Sequence, residues 1–447
     1  VTSIHSNERN SGLQKFLVLW LGDFISTIGS GLTAFVLGIY AYRLTGLATS
    51  ATMMVLFTFL PAFILRPIGG VLADRVNRSF LLIVGNLGSA LGIVLVILSL
   101  SYRPHDLIMI YTGVALSSIF VAFQNPAFKA LVTDLVPPNL YSKASGLVQL
   151  SGSAQFLVSP LLGGFLMMLM NVKYILILDA LSFMISAIAV FIIRNNLKKS
   201  VKKDEVRAHF LLELLEGFQA IKANRGVLVL VFLVSILLFY IGLFQALLTP
   251  MVLSFTTARA LGVSQSICAI GMLLGAIIIS THKRKNGNNV FILSVSLALL
   301  GFFYSFIGIF PSIIAVVLPG FLFFAALPFA NSSLDVLVRQ NISNEKQGRA
   351  WALVSVMTCF GSMVAYAISG FLADKIFNPL FMPNGRLADS LGRIFGVGPG
   401  RGIAFMFFLA GILVIILSLF IYRSKSIHML DNEPLVKGAA SDENPTD

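Results

Sequence analysis

The chain has 447 residues, of which 57% are hydrophobic and only 11% charged, with a formal net charge of +13 and a mean hydropathy of +0.90. A soluble protein carries about 25% charged residues, so these figures exclude a soluble globular domain and define a polytopic membrane protein. The positive charge lies in short loops between apolar segments, where it orients a membrane protein rather than gripping nucleic acid.

A helix needs roughly 20 apolar residues to cross a hydrocarbon core, and the sequence holds twelve such segments. They run at about 16–40, 50–73, 80–101, 106–131, 144–170, 174–194, 226–254, 260–281, 289–310, 312–336, 349–373 and 401–423. Residues 1–15 form a short polar tail with no cleavable signal apparent, so the first helix is expected to stay as an anchor. The expected organisation is a cytoplasmic tail (1–15), a six-helix bundle (16–194), a cytoplasmic linker (195–225), a second six-helix bundle (226–423) and a disordered cytoplasmic tail (424–447). Within the linker, His209 to Lys222 places Phe210, Leu211, Leu214, Leu215, Phe218 and Ile221 on one helical face, the pattern of a helix lying on a membrane surface. The fold class is thus an all-α membrane protein of twelve transmembrane helices in two pseudo-symmetric bundles.

The Lys and Arg residues give the expected orientation. With both termini cytoplasmic, 23 of the 32 fall on the inner side and eight on the outer, with Arg66 inside a span. Basic residues collect on the cytoplasmic side of membrane proteins. The long outer loop at 374–400, with Lys375, Arg386 and Arg393, is the exception, and a fold of its own against the outer mouth of the helix bundle would account for it.

Asn125–Ala144 (NPAFKALVTDLVPPNLYSKA) lines up with Asn331–Ala350 (NSSLDVLVRQNISNEKQGRA) at an offset of 206 residues, matching Asn125 with Asn331, Leu131 with Leu337, Val132 with Val338 and Ala144 with Ala350. Parallel half-repeats of this kind mark alternating-access transporters with a substrate site between the halves.

Gly70-x-x-x-Asp74-Arg75-x-x-Arg78, between the second and third spans, resembles the cytoplasmic loop signature of the major facilitator superfamily. The resemblance implies that Gly70 permits a close helix approach. It also implies that Asp74 faces the start of the eleventh helix near Arg349–Trp351, held by unpaired N–H groups and the helix dipole as part of an inner latch. Asn77 replaces the family's glycine, and Asn tolerates left-handed backbone. LWLGDFISTIGSGLT at 19–33, TARALGVSQSICAIGMLLGA at 257–276, SGFLADKIFNP at 369–379 and GPGRGIAFMF at 398–407 resemble the macrolide-efflux branch, which includes siderophore and other natural-product exporters. Ser159-Pro160-Leu161-Leu162-Gly163-Gly164 is similar to the family's antiporter motif, with Ser159 in place of a glycine. A proline among small residues bends and thins a helix.

Charges inside a membrane cost roughly 2.5–3.5 kcal/mol each on insertion scales. Asp23 and Arg66 lie at similar depth; either they pair, or Asp23 carries a proton that drives efflux. Asp179, six residues into the sixth span, is either a helix-packing hydrogen bonder or a second protonation site. Gln124, Asn125, Gln149, Gln155, Gln245 and Asn331 are polar groups in apolar runs; they either line a substrate cavity or join helices. The 38 Phe and 14 Met offer adaptable apolar surface for amphipathic ligands.

Cys268 and Cys359 lie in apolar runs without metal-ligand spacing. No zinc-protease, nucleophile-elbow or phosphate-loop pattern is present, which argues against an enzyme, and no filter-like loop suggests a channel. The expectation is a monomeric secondary transporter in a bacterial cell membrane, exporting amphipathic small molecules by proton antiport. No cofactor, metal or nucleic-acid partner is expected. A dedicated siderophore, peptide or lysophospholipid transporter is the alternative, and an importer a lesser one.

Overall fold

The computed structural model describes residues 2–194, 225–281, 289–342 and 344–432. The expected surface helix at 209–222 and the basic loop at 282–285 lie outside the described residues. Among the described residues, twelve helices are long and apolar enough to cross a membrane, and the protein is a multi-pass membrane protein. They are α1 (Thr2–Thr45), α2 (Ala48–Arg75), α3 (Arg78–Tyr102), α4 (Leu107–Leu135), α5 (Tyr141–Leu169), α6 (Val172–Arg194), α7 (Arg225–Leu253), α8 (Ala258–Thr281), α9 (Asn289–Phe306), α10 (Ile313–Gln340), α11 (Asn344–Leu372) and α12 (Arg401–Arg423). Twelve crossings put the start of α1 and the end of α12 on one side of the membrane, the near side, and the loops after odd-numbered helices on the other, the far side.

Two terminal segments differ from expectation. Residues 2–15 continue α1 without a break instead of forming a polar tail. The stretch after Ser424, expected to be disordered, begins with a helix, α13 (Lys425–Asn432). Ile427 is fully buried and His428 Nε2 lies 2.7 Å from the Tyr422 carbonyl oxygen, so one anchoring side chain and one polar contact hold the turn.

Helix ends follow local chemistry. Asn77 Oδ1 accepts from the N–H groups of Ser79 and Phe80 at 3.0 and 3.2 Å, which makes Asn77 the N-cap of α3. Its φ is −57°, so its role is capping and not the left-handed turn that its position suggested. Asp106 Oδ1 does the same for Met109 N–H at the start of α4.

The chain divides into two compact units: Val1–Glu205, Ala246–Ile267 and Tyr366–Ile376 form one, and Val206–Gln245, Cys268–Ala365 and Phe377–Asp447 the other. The first unit therefore adds the far ends of α7, α8 and α11 to α1–α6, and the division departs from the halves 16–194 and 226–423.

In lipid, helices gain little from hydrophobicity alone and associate through close van der Waals packing. In the first unit, Phe16 and Leu19 of α1 meet Ala73 of α2, Leu81 and Leu82 of α3 and Phe128 and Leu131 of α4 in one buried cluster. Nearer the far side, Leu37, Met54, Ile93, Val96, Ile110 and Phe183 form a second. In the second unit, Tyr304, Phe323 and Phe407 pack around Phe244 with centroids 5.8–6.2 Å from it, and Tyr304 Oη donates to the Tyr240 carbonyl at 3.0 Å.

The loop expected at 374–400 is ordered. After a π-helical turn at Ala373–Phe377, two short helical turns, Asn378–Phe381 and Gly392–Phe395, pack Phe381 and Phe395 against Phe405 and Phe408 of α12. Arg401, 3% exposed, donates from Nη1 to the Gly308 and Phe395 carbonyls at 3.2 and 3.4 Å. Buried aromatic area and one interior guanidinium thus fasten the loop to the second unit.

Candidate functional site

The loop between α2 and α3 holds one of its four motif residues, Arg78, in place. Arg78 Nη1 forms an ion pair with Asp134 Oδ2 of α4 at 2.5 Å, and donates to the Ala130 carbonyl at 3.3 Å. The pair is partly exposed, so its worth lies in fixing the near ends of α3 and α4 rather than in stability. Asp74 and Arg75 are exposed, and Asp74 has no hydrogen-bond or ion-pair partner among the described residues. The side chains of Arg349–Trp351 lie outside the described set. The close approach assigned to Gly70 belongs to its neighbour. A Cβ on Gly69 would meet the Ala122 carbonyl oxygen of α4 at 2.3 Å, whereas one on Gly70 would meet nothing within 4 Å. Successive helical residues point about 100° apart, so only one of two adjacent glycines can face a given partner.

The α5 motif forms a two-sided joint within the first unit. Ser159, fully buried, donates to the Ile28 carbonyl of α1 at 2.9 Å, and a Cβ on Gly163 would meet Phe35 of α1 at 2.6 Å. One residue further round, a Cβ on Gly164 would meet the Ala258 carbonyl of α8 at 2.8 Å, and one on Gly262 of α8 would meet the Pro160 carbonyl at 2.2 Å. Ser159 and Gly163 thus face α1, while Pro160 and Gly164 face α8, each pair one helical turn apart. Ser266 of α8 adds a hydrogen bond to the Leu157 carbonyl at 2.6 Å.

The three intramembrane charges fall in different settings. Asp179 is 1% exposed; Thr33 Oγ1 of α1 donates to its Oδ2 at 2.5 Å and Ser182 Oγ to its Oδ1 at 3.2 Å. Gly29 leaves room for this carboxyl, since a Cβ there would lie 2.6 Å from Oδ1. Asp23, half-buried, sits on the α1 stripe of Phe16 and Leu19. Arg66 is exposed. No ion pair or hydrogen bond joins Asp23 and Arg66 among the described residues. Of the two expectations for Asp23, pairing with Arg66 is therefore not seen among the described residues.

The uncharged candidates separate in the same way. Gln124 Nε2 donates to Ser89 Oγ of α3 at 2.8 Å, which makes it a helix-joining residue. Gln155 lies beside Gly31 of α1. Gln149, Asn125 and Asn331 are exposed, and Gln245 is half-buried. The repeat positions Asn125 and Asn331 share that exposure, and Leu131 and Leu337 share burial.

Three residues escaped the sequence reading: Asp134, Ser266 and Asp374. Asp374 accepts from the N–H groups of Ala48 and Thr49 at 3.0 and 2.8 Å and from Thr49 Oγ1 at 2.7 Å. A signal for it exists. Gly370-Phe371-Leu372-Ala373-Asp374-Lys375 repeats Gly70-Val71-Leu72-Ala73-Asp74-Arg75 with glycine, leucine, alanine, aspartate and a cation in register.

Among known families, the model described as Major Facilitator Superfamily matches residues 19–366. Macrolide efflux protein A of Streptococcus pyogenes is 25% identical over 390 residues, covering 85% of this chain and 94% of that protein. Multidrug resistance protein MdtG of Proteus mirabilis is 27% identical over 252 residues, 54% of this chain and 58% of that one. Among solved structures, the nucleoside transporter NupG superposes with a TM-score of 0.68 at 15% identity, covering 92% of this chain and all of that one. A bacterial homologue of the iron transporter ferroportin, in an inward-facing state, gives 0.67 at 12% identity, covering 92% and 99%.

Proposed function

This chain belongs to the Major Facilitator Superfamily, a family of secondary transporters and not of enzymes, and from that premise we propose that it exports amphipathic, macrolide-type or drug-like small molecules by proton antiport. The observation that carries the proposal is the match to macrolide efflux protein A over 94% of that protein's length. None of the relatives reported above is named for siderophore transport, so drug-like export is the reading put forward.

The α5 joint supports it. Small residues on two adjacent faces let α5 lie close to both α1 and α8, so a shift at one contact is passed through α5 to the other. The near side is assigned to the cytoplasm because most Lys and Arg lie there. Asp23 is the proposed proton carrier: its charged form is tolerated while water reaches it, and a step that removes the water demands a proton first. Asp179, already served by two hydroxyl donors, is assigned to helix packing.

The test is transport by purified protein in proteoliposomes, across a panel of macrolides and other amphipathic compounds, with and without a pH gradient. Gradient-driven movement of at least one macrolide supports the proposal. Absence of any gradient effect across the panel overturns it.

A further inference from the structure

Asp374 caps a helix that is not its own. Leu47, at the N-cap position of α2, offers no side-chain acceptor, and the first N–H groups of a helix have no partner within it. The Asp374 carboxylate, from the π-helical turn that ends α11, takes the N–H groups of Ala48 and Thr49 and the Thr49 hydroxyl. A π turn widens the helix and re-aims its side chains. Gly370 completes the contact: a Cβ there would meet Thr49 Cα at 2.5 Å and Thr52 Oγ1 at 2.2 Å. All these residues belong to the first unit.

The same six-residue pattern ends α2, at Gly70–Arg75. There both key members are idle, with open space beside Gly70 and Asp74 exposed without a partner among the described residues. Two helices that run in opposite directions across the membrane therefore carry one motif each at the C-terminal end. The far-side copy is engaged on α2 and the near-side copy is free.

We propose that Asp374 is a far-side latch, the counterpart of the near-side motif, and that the transport cycle alternates between the two. In the far-closed state Asp374 and Gly370 hold the first turn of α2; when the far side opens this contact breaks, and the near-side motif engages as its resemblance to the family's loop signature implies. A carboxylate is favoured at a helix N-terminus by both the free N–H groups and the helix dipole, so each engagement stabilises one state alone. The proposal needs an alternating-access carrier but no particular substrate or coupling ion.

The experiment reads far-side distances without substrate or gradient, so its failure is separate from failure of the export reading. Spin labels are placed at Tyr102→Cys and Arg386→Cys, both exposed, in the Cys268→Ala, Cys359→Ala background, and distance distributions are recorded in lipid. Asp374→Asn is expected to raise the ratio of long to short distances by roughly threefold to tenfold, and adding Asp74→Asn to bring it back toward the parent. Thr49→Val, which keeps the carboxylate, gives a smaller shift in the same direction and serves if Asp374→Asn does not fold. A capping role confined to stability would lower the melting temperature without this reversal. Unchanged distributions in Asp374→Asn and Thr49→Val, or an Asp74→Asn effect that adds to the lengthening, would overturn the proposal.

Discussion

Thr33 of α1 donates to the Asp179 carboxylate of α6 at 2.5 Å, with Gly29 leaving the space and Ser182 the second donor. A carboxyl so enclosed joins α1 to α6. Asp179→Ala removes the acceptor and leaves a buried hydroxyl without its partner, a loss of about 1–3 kcal/mol. The expected outcome is a lower melting temperature in detergent for Asp179→Ala and near-parent stability for Asp179→Asn, which keeps one acceptor oxygen. A stable Asp179→Asn protein that transports but ignores the pH gradient would move Asp179 from packing to coupling.

Gly69 and Gly70 separate packing from gating. An added methyl at Gly69 collides with the backbone of α4, while at Gly70 it enters open space. Overpacking typically costs about 1–3 kcal/mol. Gly69→Ala should therefore lower thermal stability and yield, and Gly70→Ala should leave both unchanged. If Gly70 meets a partner only in another state, Gly70→Ala will fold and still transport slowly.

Gly262 makes the sharper test of the α5 joint, since its Cβ would lie 2.2 Å from the Pro160 carbonyl oxygen, and neither backbone can yield without moving its helix. Gly262→Val is expected to abolish efflux while Val263→Ala, at an exposed neighbouring position, retains it. Parent-like efflux in a folded Gly262→Val protein would show that α5 and α8 need not touch during the cycle.

How much the sequence disclosed depends on whether length or direction was at stake. The number of spans was legible because burying a backbone in hydrocarbon demands long apolar runs, and those survive without knowledge of neighbours. Partners were not. Asp23 and Arg66 lie at similar depth by residue count, but depth along a helix says nothing of azimuth, and no contact joins them among the described residues. Which of Gly69 and Gly70 meets α4 was hidden for the same reason, a 100° turn between neighbours. Asn77 was read through backbone conformation when its side chain, bonded to Ser79 and Phe80, was the point. The latch at Asp374 was legible as a repeated spelling, yet a repeat becomes a contact only once the far ends of α2 and α11 are seen together.

Asp23 carries the last prediction, because it has neither a countercharge nor a hydrogen-bond donor among the described residues. In one-for-one antiport a one-unit pH gradient supplies about 1.4 kcal/mol, enough for roughly a tenfold substrate gradient. The parent should therefore concentrate its substrate about tenfold on the acidic side of proteoliposomes. Asp23→Asn, neutral and of the same shape, should equilibrate substrate without concentrating it, because the variant still changes state but no longer carries a proton. Arg66→Gln should keep the gradient, since Arg66 is exposed and not bonded to Asp23. Tenfold accumulation by Asp23→Asn would remove Asp23 from the coupling mechanism, and loss of coupling in Arg66→Gln alone would show that the arginine reaches Asp23 in a state other than this one.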